Sequence, residues 1–481
     1  MPDLHETQLV VLGGGPGGYA AAFLAADRGM QVTLVDAGPR PGGVCLHTGC
    51  IPSKILLHAA EILASAEDAA SWGLTFARPQ IDLAMLRGKK DKIVDGLSAH
   101  LLDLCKRRQV TFITGRGKLT DSRTLEIEGG PQLRFQHCIV ATGSVPIRLP
   151  AFDIGSRRVL DSADALKLED IPSSLLIVGG GYIGLEMGTV YAALGSKITV
   201  VEMTGGLLPG VDNDLVRHLA TRLQTRFTKI LLNTKVEKIA EVDGGIRATF
   251  AGENLAENEA VFDKVLVAIG RRPNSANLGL DKAGVAVDER GFIKVDAQRR
   301  TSNPNIFAIG DVAGGPMLAH KASHEGKLAV MVLTGEPAVW EPRAIPAVVF
   351  TDPEIAWCGL TETDAKKEKR EVKVGRYSWA ASGRAATLGR SDGLTKILVD
   401  PTSDQVLGVG LVGPGAAELI AEGVVAVEMG AVSKDLALCI HPHPTLSETI
   451  GAAAETLHGL ATDIFVRRAE SRKRPGVKEP T

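Results

Sequence analysis

The chain has 481 residues, of which 44% are hydrophobic and 23% charged, with a formal net charge of −2. At about 150 residues per domain this length predicts about three domains, and no uninterrupted apolar run approaches the roughly 18 residues that would cross a bilayer. Acids and bases are interspersed, which leaves no basic face for nucleic acid, so neither a nucleic-acid partner nor membrane insertion is expected. The opening Met1-Pro2-Asp3-Leu4-His5-Glu6 carries two acids and no basic, apolar leader, which predicts a cytoplasmic protein.

The first predicted elements are a strand at Leu9–Leu12, the turn Gly13-Gly14-Gly15-Pro16-Gly17-Gly18, a helix over Tyr19–Arg28 and a strand at Val32–Asp36. The same order returns as Leu175–Val178, the turn Gly179-Gly180-Gly181-Tyr182-Ile183-Gly184, a helical run through Leu194 and Ile198–Glu202. In each copy an acid stands 18 residues after the last motif glycine, at Asp36 and at Glu202. A glycine turn between strand and helix lets backbone N–H groups approach a pyrophosphate at the positive helix end, and the acid accepts hydrogen bonds from ribose hydroxyls. Two copies imply two dinucleotides. Glu202 favours NAD over NADP, because it would repel a 2′-phosphate and the following Met203 and Thr204 are not basic.

Between the copies lie two close cysteines, Cys45 and Cys50, in Gly42-Gly43-Val44-Cys45-Leu46-His47-Thr48-Gly49-Cys50-Ile51-Pro52-Ser53-Lys54. The other four, Cys105, Cys138, Cys358 and Cys439, lie in or beside apolar stretches and read as small buried hydrophobes. Five residues of straight helix rise about 7.5 Å, too far for an unstrained disulfide, so the segment must bend if the pair bridges. Gly49 and Pro52 supply the irregularity, and a helix starting nearby would lower a thiolate pKa. A pair cycling between dithiol and disulfide is one reading and two free cysteines another. Half a zinc site is disfavoured because no second pair matches it, so no metal is expected.

Further along, residues 91 to 108 show apolar positions at helical spacing and predict a long amphipathic helix. After residue 345 the runs Ala347–Phe350, Leu394–Val399 and Val406–Leu411 predict strands, followed by helices at Ala416–Met429 and after Thr445. The basic, turn-rich end from Arg467 predicts a frayed tail.

Taken with Ala141-Thr142-Gly143, Ala268-Ile269-Gly270-Arg271-Arg272-Pro273-Asn274, Ile309-Gly310-Asp311 and His443-Pro444-Thr445, these motifs resemble the pyridine nucleotide-disulfide oxidoreductase family over almost the whole chain. The resemblance implies an α/β fold with two Rossmann-like dinucleotide-binding domains and a C-terminal α+β dimerisation domain. It divides the chain into an FAD-binding domain (1–150), an NAD-binding domain (151–280), a central domain completing the FAD site (281–345), an interface domain (346–470) and a flexible tail (471–481). FAD would be held by Gly13, Gly15, Gly18 and Asp36, with Asp311 on the flavin's sugar-alcohol chain, and the nicotinamide nucleotide by Gly179, Gly181, Gly184 and Glu202. Thr142, Gly143, Gly270 and Ala319 are further cofactor-binding positions. Lys54 would lie beside the flavin, paired with Glu186, and Tyr182 would be either a lid over the flavin or a packing aromatic. His443, oriented by Glu448, would be the acid–base group for the dithiol of the other subunit in an obligate homodimer, although Thr445-Leu446-Ser447-Glu448 also fits a capping box.

Within the family, Met317–Ala322, Ala380–Ala385 and His443–Glu448 look like segments of members that oxidise dihydrolipoamide, with lipoyl domains of a 2-oxoacid dehydrogenase acyltransferase or a glycine-cleavage carrier protein as partners. A mercuric-reductase-like member would add a C-terminal cysteine pair, which is missing after Cys439, and a glutathione-reductase-like member would use NADPH. Another disulfide reductase of the family, or a nucleotide-binding flavoprotein without turnover, are the alternatives. The sequence departs from the pattern at Asp36, where glutamate is commoner, at His47-Thr48 between the cysteines, and at Asp352, where a histidine is common.

Overall fold

The computed structural model describes residues 4–252, 255 and 257–465, so the expected tail at 471–481 lies outside the described residues. Two compact units are present, one built from residues 4–209 and 224–341 and the other from 210–223 and 342–465.

The first unit holds two mainly parallel sheets, each grown around one glycine motif. In the first, strand Leu4–Leu12 lies between Val32–Asp36 and Gln132–Val140, in register from Leu9↔Val32 to Leu12↔Val35 and from Leu4↔Gln132 to Leu12↔Val140. Leu9, Val10, Val11, Ile139 and Val140 are completely buried, as a sheet covered on both faces requires, and this is why these strands read as unbroken apolar runs. Strand Ile306–Ala308 joins the far edge of Gln132–Val140 in parallel and so delivers the turn Ile309-Gly310-Asp311 to the carboxyl ends of the sheet. The second sheet repeats the plan with Lys197–Val201, Ser174–Val178 and Lys264–Val267 side by side. A short antiparallel ribbon, Ser144–Pro146 against Arg271–Pro273, runs between residues that follow the two sheets.

The third glycine of each motif is a packing residue. A Cβ on Gly18 would stand 1.8 Å from the Gly13 carbonyl oxygen, and one on Gly184 would stand 2.5 Å from the Gly179 carbonyl oxygen. Only glycine lets helices Pro16–Asp27 and Tyr182–Leu194 close down on their loops. The long helix expected over 91 to 108 spans Leu83–Arg107, starting earlier because the Asp82 side chain accepts a hydrogen bond from the Met85 N–H and caps it.

The second unit is a five-stranded antiparallel sheet in the order Ala347–Val349, Ile355–Gly359, Val406–Val412, Leu394–Val399, Lys373–Ser378, with helices Ala416–Met429 and Glu448–His458. Lys396 sits mid-strand at 1% exposure, and its ammonium lies 2.6 Å from Asp212, 2.7 Å from Asp214 and 3.0 Å from Glu362. This carboxylate trio is the one acidic cluster among the described residues close enough to hold a cation, and the lysine occupies it. Asp352 accepts hydrogen bonds from Arg390 at 2.6 Å and Arg222 at 3.1 Å. Among the described residues no helix is long and apolar enough to cross a membrane.

Burial would raise the Asp212 and Asp214 carboxyls, but Lys396 outweighs it and both lie below their ordinary value. Their stabilising contribution is therefore present above the unfolded carboxylate range and lost as pH falls through the depressed folded values. Lys396→Met should cost about 3–5 kcal/mol at neutral pH, because it strands buried carboxylates, and the gap to wild type should narrow below about pH 4. Urea denaturation followed at both pH values checks this.

Candidate active site

The dithiol segment is two helices with a break between them. Helix Gly43–Thr48 stops at Gly49, whose backbone (φ −146, ψ −113) fits no helix, and helix Cys50–Asp68 starts at the next residue. A Cβ on Gly49 would lie 2.8 Å from the Val44 carbonyl oxygen, so the tight return needs glycine. Pro52 falls in the first turn of the second helix, where its missing N–H costs no hydrogen bond. Both cysteines are free thiols, and Cys50 is the first residue of a 19-residue helix with no side-chain cap.

This geometry separates the two thiols electrically. Their mutual hydrogen bond, then burial, pushes the Cys45 thiol far above its ordinary range. The same bond brings the Cys50 thiol down to about 7; burial works against this and the Lys54 charge assists it. Lys54, four residues along the helix, places its ammonium 2.9 and 3.0 Å from the two carboxylate oxygens of Glu186, which is 3% exposed on helix Tyr182–Leu194. Tyr19, on the first glycine helix, has its hydroxyl pKa raised by burial and then by the charges of Cys45 and Cys50; the sequence reading gave it no role.

One cavity of about 960 Å³ runs from the first glycine loop to the dithiol. Gly13, Gly15 and Asp36 line one end, Cys45, Cys50, Lys54, Glu186 and Tyr182 the other, with Thr142, Gly143, Asp311 and Ala319 along its wall. Gly18 is absent from the lining, in keeping with its packing role. Gly179, Gly181 and Gly184 of the second turn, Glu202 and Gly270 are also absent from the lining, although Tyr182 and Ile183 of that turn belong to it. Space is open at Gly181, where an added Cβ would meet nothing within 4 Å.

The two acids do more than the sequence reading asked of them. Asp36 accepts from the Gly14 N–H and from the Gly38 N–H at 2.7 Å. Glu202 accepts from the Gly180 N–H at 2.7 Å and the Thr204 N–H at 2.8 Å. Each carboxylate ties down its own glycine loop and still keeps lone pairs for a ribose hydroxyl.

In the second unit His443 Nδ1 lies 2.9 Å from Glu448 Oε1, with the imidazole largely exposed. Burial raises the Glu448 carboxyl slightly, but the Thr445 N–H and His443 outweigh it and hold it below its ordinary value. The capping-box reading is half realised: Glu448 accepts from the Thr445 N–H at 2.7 Å, but the Thr445 hydroxyl turns to the Pro442 carbonyl and the helix starts only at Glu448. His441, also without a role in the sequence reading, is anchored 2.8 Å from Glu422.

The residues fit the family's two cofactors. The cavity is at the upper end of the roughly 300–1,000 Å³ typical of cofactor sites. Both glycine-loop helices start without a side-chain cap, at Gly15 and Gly181, leaving first-turn N–H groups for a pyrophosphate.

A family model described as pyridine nucleotide-disulphide oxidoreductase matches residues 7–326, and the model of that family's dimerisation domain matches residues 345–454. The chain belongs to this family. Within it, the chain is 45% identical over 471 residues to the dihydrolipoyl dehydrogenase of Vibrio parahaemolyticus, covering 97% of this chain and 99% of that one. It is likewise 45% identical to the dihydrolipoyl dehydrogenase of Haemophilus influenzae, covering 97% and 98%. Among solved structures, LpdA from Mycobacterium tuberculosis matches with a TM-score of 0.86 at 28% identity, covering 94% of this chain and 99% of that one.

Lys54 lowers the Cys50 pKa and Glu186 raises it. Lys54→Met should therefore move the Cys50 midpoint upward from about 7 by on the order of one pH unit, and Glu186→Gln should move it downward. Thiolate ultraviolet absorbance of the reduced protein against pH reads both, and midpoints that stay put would contradict the electrostatic account.

Proposed function

We propose that the protein oxidises protein-bound dihydrolipoamide to lipoamide and reduces NAD⁺ to NADH, using Cys45 and Cys50 as a redox-active disulfide. The observation that carries this reading is a thiol brought down to about 7 in the cavity that also receives the first glycine loop. FAD, when bound there, supplies the two-electron relay between the dithiol and NAD⁺.

The chain's residues then divide the work. A substrate thiolate attacks the disulfide at Cys45 and expels Cys50 as thiolate, the form its surroundings favour; the second substrate thiolate then attacks the substrate sulfur of the mixed disulfide, closing the lipoamide ring and releasing Cys45. Cys45, whose thiol is held far above the ordinary range, takes up a proton on release. Lys54, neutralised by Glu186, presents a fixed cation at the dithiol end of the cavity. His443 of the partner subunit removes and returns the substrate protons. Glu448 engages Nδ1 and so leaves Nε2 for that transfer.

We assign residues 1–150 and 281–345 to FAD, 151–280 to NAD and 346–470 to the subunit interface of a homodimer. Lipoyl domains on a 2-oxoacid dehydrogenase acyltransferase or on a glycine-cleavage carrier are the partners, and the cytoplasm is the location. Support comes from the matched dimerisation domain and from the names of the relatives.

Cys45→Ser should abolish dihydrolipoamide-dependent NAD⁺ reduction while leaving FAD bound, and His443→Gln should lower turnover by about 10²–10⁴. Steady-state rates with dihydrolipoamide and NAD⁺, set against glutathione disulfide and NADPH, decide the substrate. A preference for the second pair would overturn the reading.

A further inference from the structure

The turn Ile309-Gly310-Asp311 enters the cavity held from two sides by residues to which the sequence reading gave no part. The Ser144 hydroxyl donates to Asp311 Oδ2 at 2.5 Å, and Ser144 Oγ itself accepts from Arg271 Nε at 2.8 Å. A second guanidinium nitrogen of Arg271 donates to the Ser144 carbonyl at 2.6 Å. The two residues are neighbours because Ser144–Pro146 and Arg271–Pro273 form the short antiparallel ribbon, and Ser144 is 3% exposed.

Donor and acceptor bookkeeping fixes the direction of this relay. A guanidinium has only donors, so Ser144 Oγ must accept from Arg271, and its one O–H then has a single place to go, the Asp311 carboxylate. Oδ2 is thereby committed, which leaves the other carboxylate oxygen for a ligand. The backbone beneath is pinned as well. Glu325, fully buried, accepts from the Gly310 N–H at 2.6 Å and is paired with Arg299 at 3.1 Å and Lys321 at 3.0 Å. Arg299 itself sits at φ +63 in a turn closed by its N–H on the Asp296 carbonyl, and its buried Nε has no partner.

We propose that Ser144 is a positioning residue for the flavin cofactor: oriented by Arg271, it turns the Asp311 carboxylate so that one oxygen accepts from a polyol hydroxyl of the cofactor. This rests on the reading of the cavity as the FAD site. Ser144→Ala removes the link while leaving the ribbon and the Glu325 clamp in place, and Ser144→Thr keeps a hydroxyl.

FAD titrated into FAD-free protein, followed by quenching of flavin fluorescence, reads the effect. Ser144→Ala should raise the dissociation constant by about 10-fold or more, as expected for loss of a hydrogen bond to a charged group. The melting temperature of the FAD-free protein should fall by only a few degrees, since the same bond is already made without the cofactor, and Ser144→Thr should restore binding to within about twofold of wild type. A Ser144→Ala dissociation constant equal to wild type overturns the proposal, as does a loss confined to the melting temperature. Wild-type FAD-free protein that takes up no FAD would bring down the cavity reading itself, and this proposal with it.

Discussion

Which thiol gives up its proton first, Cys50 and not Cys45, depends on a break in the chain at Gly49. Were residues 43 to 68 a single helix, cysteines five apart would be separated by about 7.5 Å along its axis and would not meet. The break folds the second thiol back to the first and restarts the helix with Cys50 as its first residue. Free N–H groups at that end place a partial positive charge on Cys50, and Lys54 adds a full one a turn later. Cys45 also feels the Cys50 N–H and the Lys54 charge, but its hydrogen bond to the Cys50 thiol and its burial outweigh both. A leaving group and an attacking position are thus distinguished by backbone geometry before any substrate arrives.

The same lysine links the dithiol helix to the second glycine motif. Glu186 lies two residues past Gly184, on a helix that must start at that loop, and its buried carboxylate would be costly without a counter-charge. The pair therefore ties the two dinucleotide-type halves of the first unit together at the end of the cavity where electrons are proposed to cross. Its members act on Cys50 in opposite directions, so the thiol senses their difference and not either charge alone.

The parts legible in the sequence were those whose signal is local. Each glycine turn is bracketed by a parallel strand whose last four residues are buried and by a helix, and such strand ends read as continuous apolar runs. The helix Ala416–Met429 and strands Leu394–Val399 and Val406–Val412 were visible for the same reason. Strand Lys373–Ser378 was not, because half of its positions face solvent and carry Lys373, Arg376 and Ser378. In the hairpin of Thr234–Val242 and Gly245–Gly252 the first strand is likewise broken by charges at Lys235, Glu237, Lys238 and Glu241, although the Asp243-Gly244 turn was a usable signal. Ser144, Arg271 and Glu325 were invisible as a group, since they meet only through folding that brings residues 144, 271 and 310 to one place.

Asp36 and Glu202 each serve two masters. Each accepts a hydrogen bond from the middle glycine of its own loop, so the loops are already shaped when a dinucleotide arrives and little ordering remains to be done on binding. For Glu202 this joins two properties that are easily imagined as separate. Replacing it with a neutral or basic side chain to admit a phosphorylated ribose would also release the Gly180 and Thr204 N–H groups. On the proposal that Glu202 meets the ribose, nucleotide choice and loop integrity would reside in one carboxylate, and a change of coenzyme would have to supply a new acceptor for the loop along with a new partner for the ligand.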